Sequence, residues 1–269
     1  MDEALKLLAI FPHPDDESLG LGGTLAKYST EEIRTYLICA TRGERGWNGP
    51  EEADPGLEAL GRIREDELRC AAHHLGMQEV NFLDVIDGEV DQADPGEMIA
   101  KITAHLRRIR PQVVITFPPD GNSGHPDHIA LAQFSAGALL CAADANYRDP
   151  EDRLPFRVSK LYHMVDSKNM VQAVREAIGP ITMEVDGVER NHFGWEEWAV
   201  TTRIDTRAHF DRAWQAILCL QSQLPGYGPL LELPKETLLK IWGEGTFVRI
   251  FSLVNSGRGI ERDLFEGLR

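Results

Sequence analysis

The first half of the chain alternates short apolar runs with longer amphipathic stretches. Residues 6–11 (KLLAIF) are apolar, stop at Pro12 and predict a buried strand, followed by the loop PHPDDESLGLGG and a helix over about 23–28. Residues 33–41 (IRTYLICAT) are β-branched and aromatic and predict a second strand. A polar, Gly/Pro-rich loop covers 42–56. Residues 57–75 have helical spacing, with Leu60, Ile63, Leu68, Ala71, Ala72 and Leu75 on one broad face and Gly76 as the stop. A strand over 80–83, a helix over 96–110 closed by Pro111, and a buried strand over 113–117 (VVITF) come next. The loop PPDGNSGHPD then leads into a helix over about 128–143.

This alternation predicts an α/β fold, a Rossmann-like, mostly parallel sheet with helices on both faces. Ligands in such sheets bind beyond the carboxyl ends of the strands. The second half is less regular. Residues 158–164 and 199–204 read as strands and 206–223 as an amphipathic helix, while 179–194 and 224–234 read as surface loops or a subdomain. There is no internal repeat, low-complexity tract or obvious linker. We expect one domain over 1–269, with a core over about 1–145 and a C-terminal part over about 146–269 that completes the fold and the substrate pocket.

At 269 residues and 42% hydrophobic content, the chain can bury a sizeable core. No apolar run approaches the length needed to cross a bilayer. The acidic start, Met1-Asp2-Glu3-Ala4, lacks the basic region and cleavage site of a secretory signal, so the expected location is cytoplasmic. A formal charge of −15 repels phosphate backbones and anionic lipids, which argues against nucleic acid or a membrane as partner. Cys39, Cys70, Cys141 and Cys219 form no CxxC pair. They read as small buried apolar residues, with neither a disulfide framework nor a Cys-based zinc site expected.

Two clusters, each directly after a strong apolar strand, carry chemistry. In the first, Pro12-His13-Pro14-Asp15-Asp16-Glu17, an imidazole and adjacent carboxylates share a Pro-stiffened loop. Imidazole nitrogen with carboxylate oxygen is a ligand set for catalytic zinc and related ions. Adjacent residues of an extended chain point in different directions. Asp15 and Asp16 therefore divide into one metal ligand and one free carboxylate, available as a base beside a water. In the second, Gly124-His125-Pro126-Asp127-His128, His125 and His128 share a face if a helix begins there. One of them can bind metal while the other reaches substrate, and Asp127 can orient a ring by accepting its N–H. Two His and one Asp leave an open position for water, which is the arrangement for amide hydrolysis without a covalent intermediate. The remaining histidines, His73, His74, His105, His163, His192 and His209, read as surface or packing residues.

The PHPDDE loop, TRGERG (41–46), REDEL (64–68) and GHPDH, in this order and spacing, resemble the PIG-L/LmbE-like deacetylases. The resemblance runs strongly over about 5–145 and more weakly through TTRIDT and QSQ. It implies hydrolysis of the N-acetyl group of an N-acetylglucosamine-containing small molecule. The implied cofactor is Zn2+, and the ligand set also accepts Fe2+ and other divalent transition metals. The resemblance assigns His13, Asp16 and His128 as metal ligands and Asp15 as general base. It assigns His125 as general acid or oxyanion stabiliser, with Asp127 orienting it. Arg64 and Asp87 are implied contacts to sugar hydroxyls. Some sugar-deacetylating relatives carry a tyrosine two residues before the first His of HPDH, where it helps to polarise the carbonyl; this chain has Ser123 there, a hydrogen-bond donor of shorter reach. Relatives also form homo-oligomers. The closest rival reading is an amidase of the same fold that cleaves a larger amide, such as a thiol-cofactor conjugate.

Overall fold

The structure is a computed structural model that describes residues 4–180, 182–185, 187–257 and 259–269. The chain runs through β1 (Lys6–Phe11), α1 (Asp16–Leu19), α2 (Gly22–Thr30), β2 (Arg34–Cys39), α3 (Leu57–Leu75), β3 (Glu79–Phe82), α4 (Pro95–Ile109), β4 (Val113–Thr116) and α5 (Pro126–Ala143). It continues through β5 (Lys160–Met164), α6 (Lys168–Ile178), β6 (Thr182–Val185), β7 (Val188–Asn191), β8 (Thr202–Asp205), α7 (Phe210–Cys219), α8 (Gly228–Leu231), α9 (Lys235–Trp242) and β9 (Glu244–Ser252).

A 7-stranded sheet has the order β3-β2-β1-β4-β5-β9-β8. The first five strands are parallel, whereas β9 pairs antiparallel with both β5 and β8. All six residues of β1 are buried, and alternate side chains serve opposite faces. Leu7, Ala9 and Phe11 pack with Leu25, Leu68, Leu75 and Ala216 of α2, α3 and α7. Leu8 and Ile10 pack with Ile102, Leu106, Leu131 and Phe134 of α4 and α5. A central strand covered on both faces must be apolar throughout, which is why KLLAIF reads as it does.

The second half departs from the sequence expectation in several places. The helix expected over 206–223 starts as a 3-10 turn at Arg207–His209 and ends at Cys219. The segment expected as loop over 179–194 contains the β6–β7 hairpin, and 224–234 contains short helical turns. Neither α9 nor the nine-residue β9 was anticipated. The interior of β9 mixes Thr246 and Arg249 among its apolar residues, so it has no continuous apolar run.

The expectation that the cysteines are unbridged is also corrected. Cys70 and Cys219 form a disulfide, with Cα atoms 5.9 Å apart, because α3 and α7 pack side by side on one face of the sheet. A separation of 149 residues hides this pairing from any local motif. Cys39 and Cys141 are free.

The C-terminal segment is pinned to the sheet by one buried carboxylate. Glu261 Oε1 accepts hydrogen bonds from Lys160 (2.7 Å), Arg249 (2.9 Å) and Asn255 (2.7 Å). Its Oε2 accepts from the hydroxyls of Tyr162 and Thr202, both at 2.8 Å. Burial alone raises the Glu261 pKa, but these donors outweigh it and bring the carboxyl down to about 2. Since the folded pKa is depressed, the contribution to stability is present above the ordinary carboxylate pKa and is lost as pH falls towards about 2. Glu261→Ala strands the fully buried Lys160 ammonium and should cost about 3–5 kcal/mol. Urea unfolding at pH 7 and pH 3 checks both points: the gap between wild type and variant should narrow at the lower pH.

Candidate metal and catalytic centre

The first cluster begins where β1 ends. The Thr41 hydroxyl and backbone N–H both donate to the Pro12 carbonyl (2.9 and 3.0 Å), fixing the exit from the strand. Asp15 then adopts φ 151, ψ −30, a conformation disfavoured for a side chain with a Cβ. It is held from both sides: the Glu17 carboxylate accepts its N–H (3.1 Å), and Arg64 donates to the preceding Pro14 carbonyl (2.7 Å). Burial raises the Glu17 carboxyl to about 7. The second cluster opens α5. His125 is its N-cap, with Nδ1 accepting the Asp127 N–H at 3.2 Å, and Pro126 occupies the first turn. Gly121, at φ +65, is required by packing as well as by backbone, since a Cβ there would lie 2.8 Å from the His128 Cβ.

The two clusters meet through ring nitrogens. His13 Nε2 lies 3.1 Å from both Asp127 Oδ2 and Asp87 Oδ1, so that nitrogen carries a proton, and Nδ1 offers its lone pair when the ring is neutral. His128 Nδ1 sits 3.2 Å from the Gly121 carbonyl, which likewise leaves Nε2 with a lone pair. These two nitrogens face each other at 3.2 Å, close enough to share a proton or to flank a cation. Asp16 completes the triangle, with carboxylate oxygens 3.7 Å from His13 Nδ1 and 3.7 Å from His128 Nε2. The donor atoms of His13, Asp16 and His128 all lie within 4.8 Å of one another. A cation between these donor atoms would satisfy all three, and the N,N,O set is one that divalent transition metals accept.

The electrostatics agree. Burial pulls His13 down, but the hydrogen bonds to Asp127 and Asp87, with the charges of Asp87 and Asp16, more than reverse this and hold its pKa well above the ordinary imidazole value. Carboxylates around the ring would also favour a metal ion there. Burial first, and then the charge that His13 carries when protonated, hold His128 well below the ordinary value, so its imidazole is neutral and fit to ligate. Asp16 is pushed up by burial and by the charge of Asp15, a penalty that a bound cation relieves. A second grouping, His13, His125 and Asp127, also brings donor atoms together. Its Asp127 carboxylate is already engaged by His13 Nε2 and by the N–H groups of Gly88 and Val90.

Comparison with known proteins identifies the family of the chain. The family model described as GlcNAc-PI de-N-acetylase (PIG-L) matches residues 8–139, which span both clusters. The 1D-myo-inositol 2-acetamido-2-deoxy-alpha-D-glucopyranoside deacetylase of Thermobispora bispora is 31% identical, over 98% of this chain and 98% of that protein. The chain belongs to the PIG-L family of de-N-acetylases. Among solved structures, the conserved protein TT1542 of Thermus thermophilus matches with a TM-score of 0.65 and 27% identity, covering 94% of this chain and 97% of that one. The N,N'-diacetylchitobiose deacetylase of Pyrococcus horikoshii matches in fold with a TM-score of 0.64 and 21% identity, over 92% of this chain and 84% of its own. As a PIG-L protein the chain is a hydrolase and a deacetylase. No helix among the described residues is long and apolar enough to cross a membrane.

Within this candidate site, several residues occupy places that differ from the sequence expectation. Asp127 was expected to orient His125. Its carboxylate instead sits under His13 and accepts the N–H groups of Gly88 (2.8 Å) and Val90 (3.1 Å). Only its backbone N–H reaches His125. Asp87, expected on a sugar hydroxyl, is the second carboxylate on His13, and its Oδ2 accepts the Arg45 N–H at 3.2 Å. Arg64, expected as a sugar contact, is buried. It donates to Pro14, to the Gly43 carbonyl (3.0 Å) and to Asp15 Oδ2 (3.1 Å), and so clamps the first cluster from beneath. Gly43, at φ +69, leaves room for it: a Cβ there would lie 2.3 Å from the guanidinium. Ser123 is buried, and its hydroxyl points towards the Gly121 carbonyl at 3.5 Å.

Other neighbours carried no local signal. His192, read as a surface or packing residue, pairs with Asp166 at 2.5 Å, and its charge contributes to the low pKa of His128. Arg190 on β7 donates to the Gly124 carbonyl at 2.7 Å. Tyr227 donates to Asp15 Oδ2 at 3.1 Å, although its segment reads as surface loop.

Proposed function

We propose that this PIG-L protein removes the acetyl group from an N-acetylglucosaminide carrying a small polyol aglycone of the inositol type, with zinc held by His13, Asp16 and His128. The aglycone follows the Thermobispora bispora relative, whose name specifies an inositol 2-acetamido-2-deoxyglucoside. The observation that carries the reading is the facing pair of imidazole nitrogens at 3.2 Å, with Asp16 closing the triangle and Asp15 next to it in the chain.

A divalent ion there supplies positive charge that acidifies a water, towards a pKa of about 7, and polarises a carbonyl oxygen. Every other part belongs to the chain. Asp127 and Asp87 fix the His13 ring and raise the basicity of its Nδ1. Asp15 takes the proton of the attacking water. His125 is held down to about 4, by burial first and then by the charge that His13 carries when protonated, so it is neutral near pH 7. Its Nδ1 accepts the Asp127 N–H, which leaves Nε2–H as the donor to the acetamide oxygen as that oxygen gains charge. The neutral ring therefore acts as oxyanion stabiliser, and the proton taken up by Asp15 is the one available to the leaving amine.

Acetate release from N-acetylglucosaminyl-inositol by chelator-treated protein, with and without added Zn2+, tests the reading. Release that depends on added metal is the expected result. Equal release without metal contradicts the cation site. Metal uptake without acetate, but with release of a bulkier acid from a thiol-cofactor conjugate, moves the assignment to the larger-amide reaction.

A further inference from the structure

Beyond α7 the chain turns back along α3 and reaches the first cluster. Cys219 is bonded to Cys70 of α3. Ser222 donates its N–H and its hydroxyl to the two oxygens of Glu67, both at 2.7 Å. The Gln223 side chain donates to the Gly46 carbonyl and accepts from Asn48 Nδ2, both at 2.7 Å. These anchors deliver Tyr227, whose hydroxyl donates to Asp15 Oδ2 at 3.1 Å. Arg64 donates to the same oxygen at 3.1 Å. The other oxygen, Oδ1, makes no hydrogen bond to any described residue. From the opposite loop, Ser123 contributes no donor, since its hydroxyl is turned to Gly121.

We propose that Tyr227 is a positioning residue for the reaction: with Arg64 it holds Oδ2 of Asp15, fixes the carboxylate plane and leaves Oδ1 facing the water. The inference rests on the reading of Asp15 as the base. Two donors on one oxygen remove the rotation that would present either oxygen at random. A correctly oriented base gains rate without any new contact to substrate. The effect belongs in kcat, since the phenol is spent on Asp15 rather than on the sugar.

The test uses the zinc-loaded full chain and the acetate-release assay. Tyr227→Phe keeps the ring and removes the hydroxyl. A hydrogen bond to a charged group corresponds to a drop in kcat of about 10- to 100-fold, with KM within about twofold and metal content unchanged. In an Asp15→Asn background the same substitution should slow the residual rate by less than about twofold, because no base remains to be positioned. Thermal melts confirm that each variant is folded. An unchanged kcat in Tyr227→Phe, or a raised KM with kcat preserved, overturns the inference. A full Tyr227→Phe effect persisting in the Asp15→Asn background also overturns it, since the phenol then acts on substrate directly. If Asp15→Asn alone retains turnover, the base assignment itself has failed, which separates the two ideas.

Discussion

His128→Ala should strip the protein of its metal and with it of turnover, by about 10^3-fold or more. Losing a supporting partner of a ligand typically costs roughly 10- to 100-fold in metal affinity, and losing the ligand itself costs more. No neighbour can take over. The His125 ring stacks on His128 with centroids 4.8 Å apart, but its Nδ1 is bound to the Asp127 N–H as the cap of α5. Swinging it inward would uncap the helix. Asp127 and Asp87 are committed to His13, and Asp127 also holds two backbone N–H groups. Metal content after dialysis against limiting zinc, measured by atomic emission alongside acetate release, reads the effect. A variant that keeps its full metal complement removes His128 from the ligand set.

The parallel half of the fold was legible because its central strands, β1 and β4, are largely apolar runs ended by proline or a polar loop. A strand buried on both faces can be built in no other way, as the division of Leu7, Ala9 and Phe11 from Leu8 and Ile10 shows. The site was legible for a related reason. Strands β1 and β4 are parallel neighbours, so the loops after them emerge at the same edge, and residues 13–16 and 125–128 must meet there. The convergence of His13, Asp16 and His128 follows from topology plus residue type.

The supporting partners were not legible because they depend on tertiary approach. The 84–90 turn lies close to Asp127 in space but 37 to 39 residues away in sequence, so nothing local reveals that its N–H groups hold Asp127 or that Asp87 shares His13 with Asp127. Arg64 reads as one more arginine on a helix face, yet that face turns inward under Pro14. The Cys70–Cys219 bridge and Tyr227 belong to the same class: both depend on how α7 and the turn after it fold back on α3. The antiparallel β9 escaped because a strand with mixed polarity gives neither a clean alternation nor an apolar run.

Asp15→Asn should lower kcat by about 10^2- to 10^4-fold while the metal stays in place. The amide keeps one oxygen to accept from Arg64 and Tyr227, so the strained backbone at Asp15 retains both clamps. The group then turned to the water is an NH2, which cannot take a proton. Metal affinity feels two opposing changes. Removing the Asp15 charge takes a negative group away from the cation, which weakens binding. It also removes the like charge that pushes Asp16 up, so the ligand ionises more readily. The net shift in zinc affinity should therefore stay within about tenfold, far less than the loss expected when a ligand is removed. Competition against a chelator of known affinity, run beside the kinetic assay, separates the cases. Loss of turnover with metal retained is the signature of a base; parallel loss of both would make Asp15 a ligand, and retention of both would mean that another group takes the proton from the water.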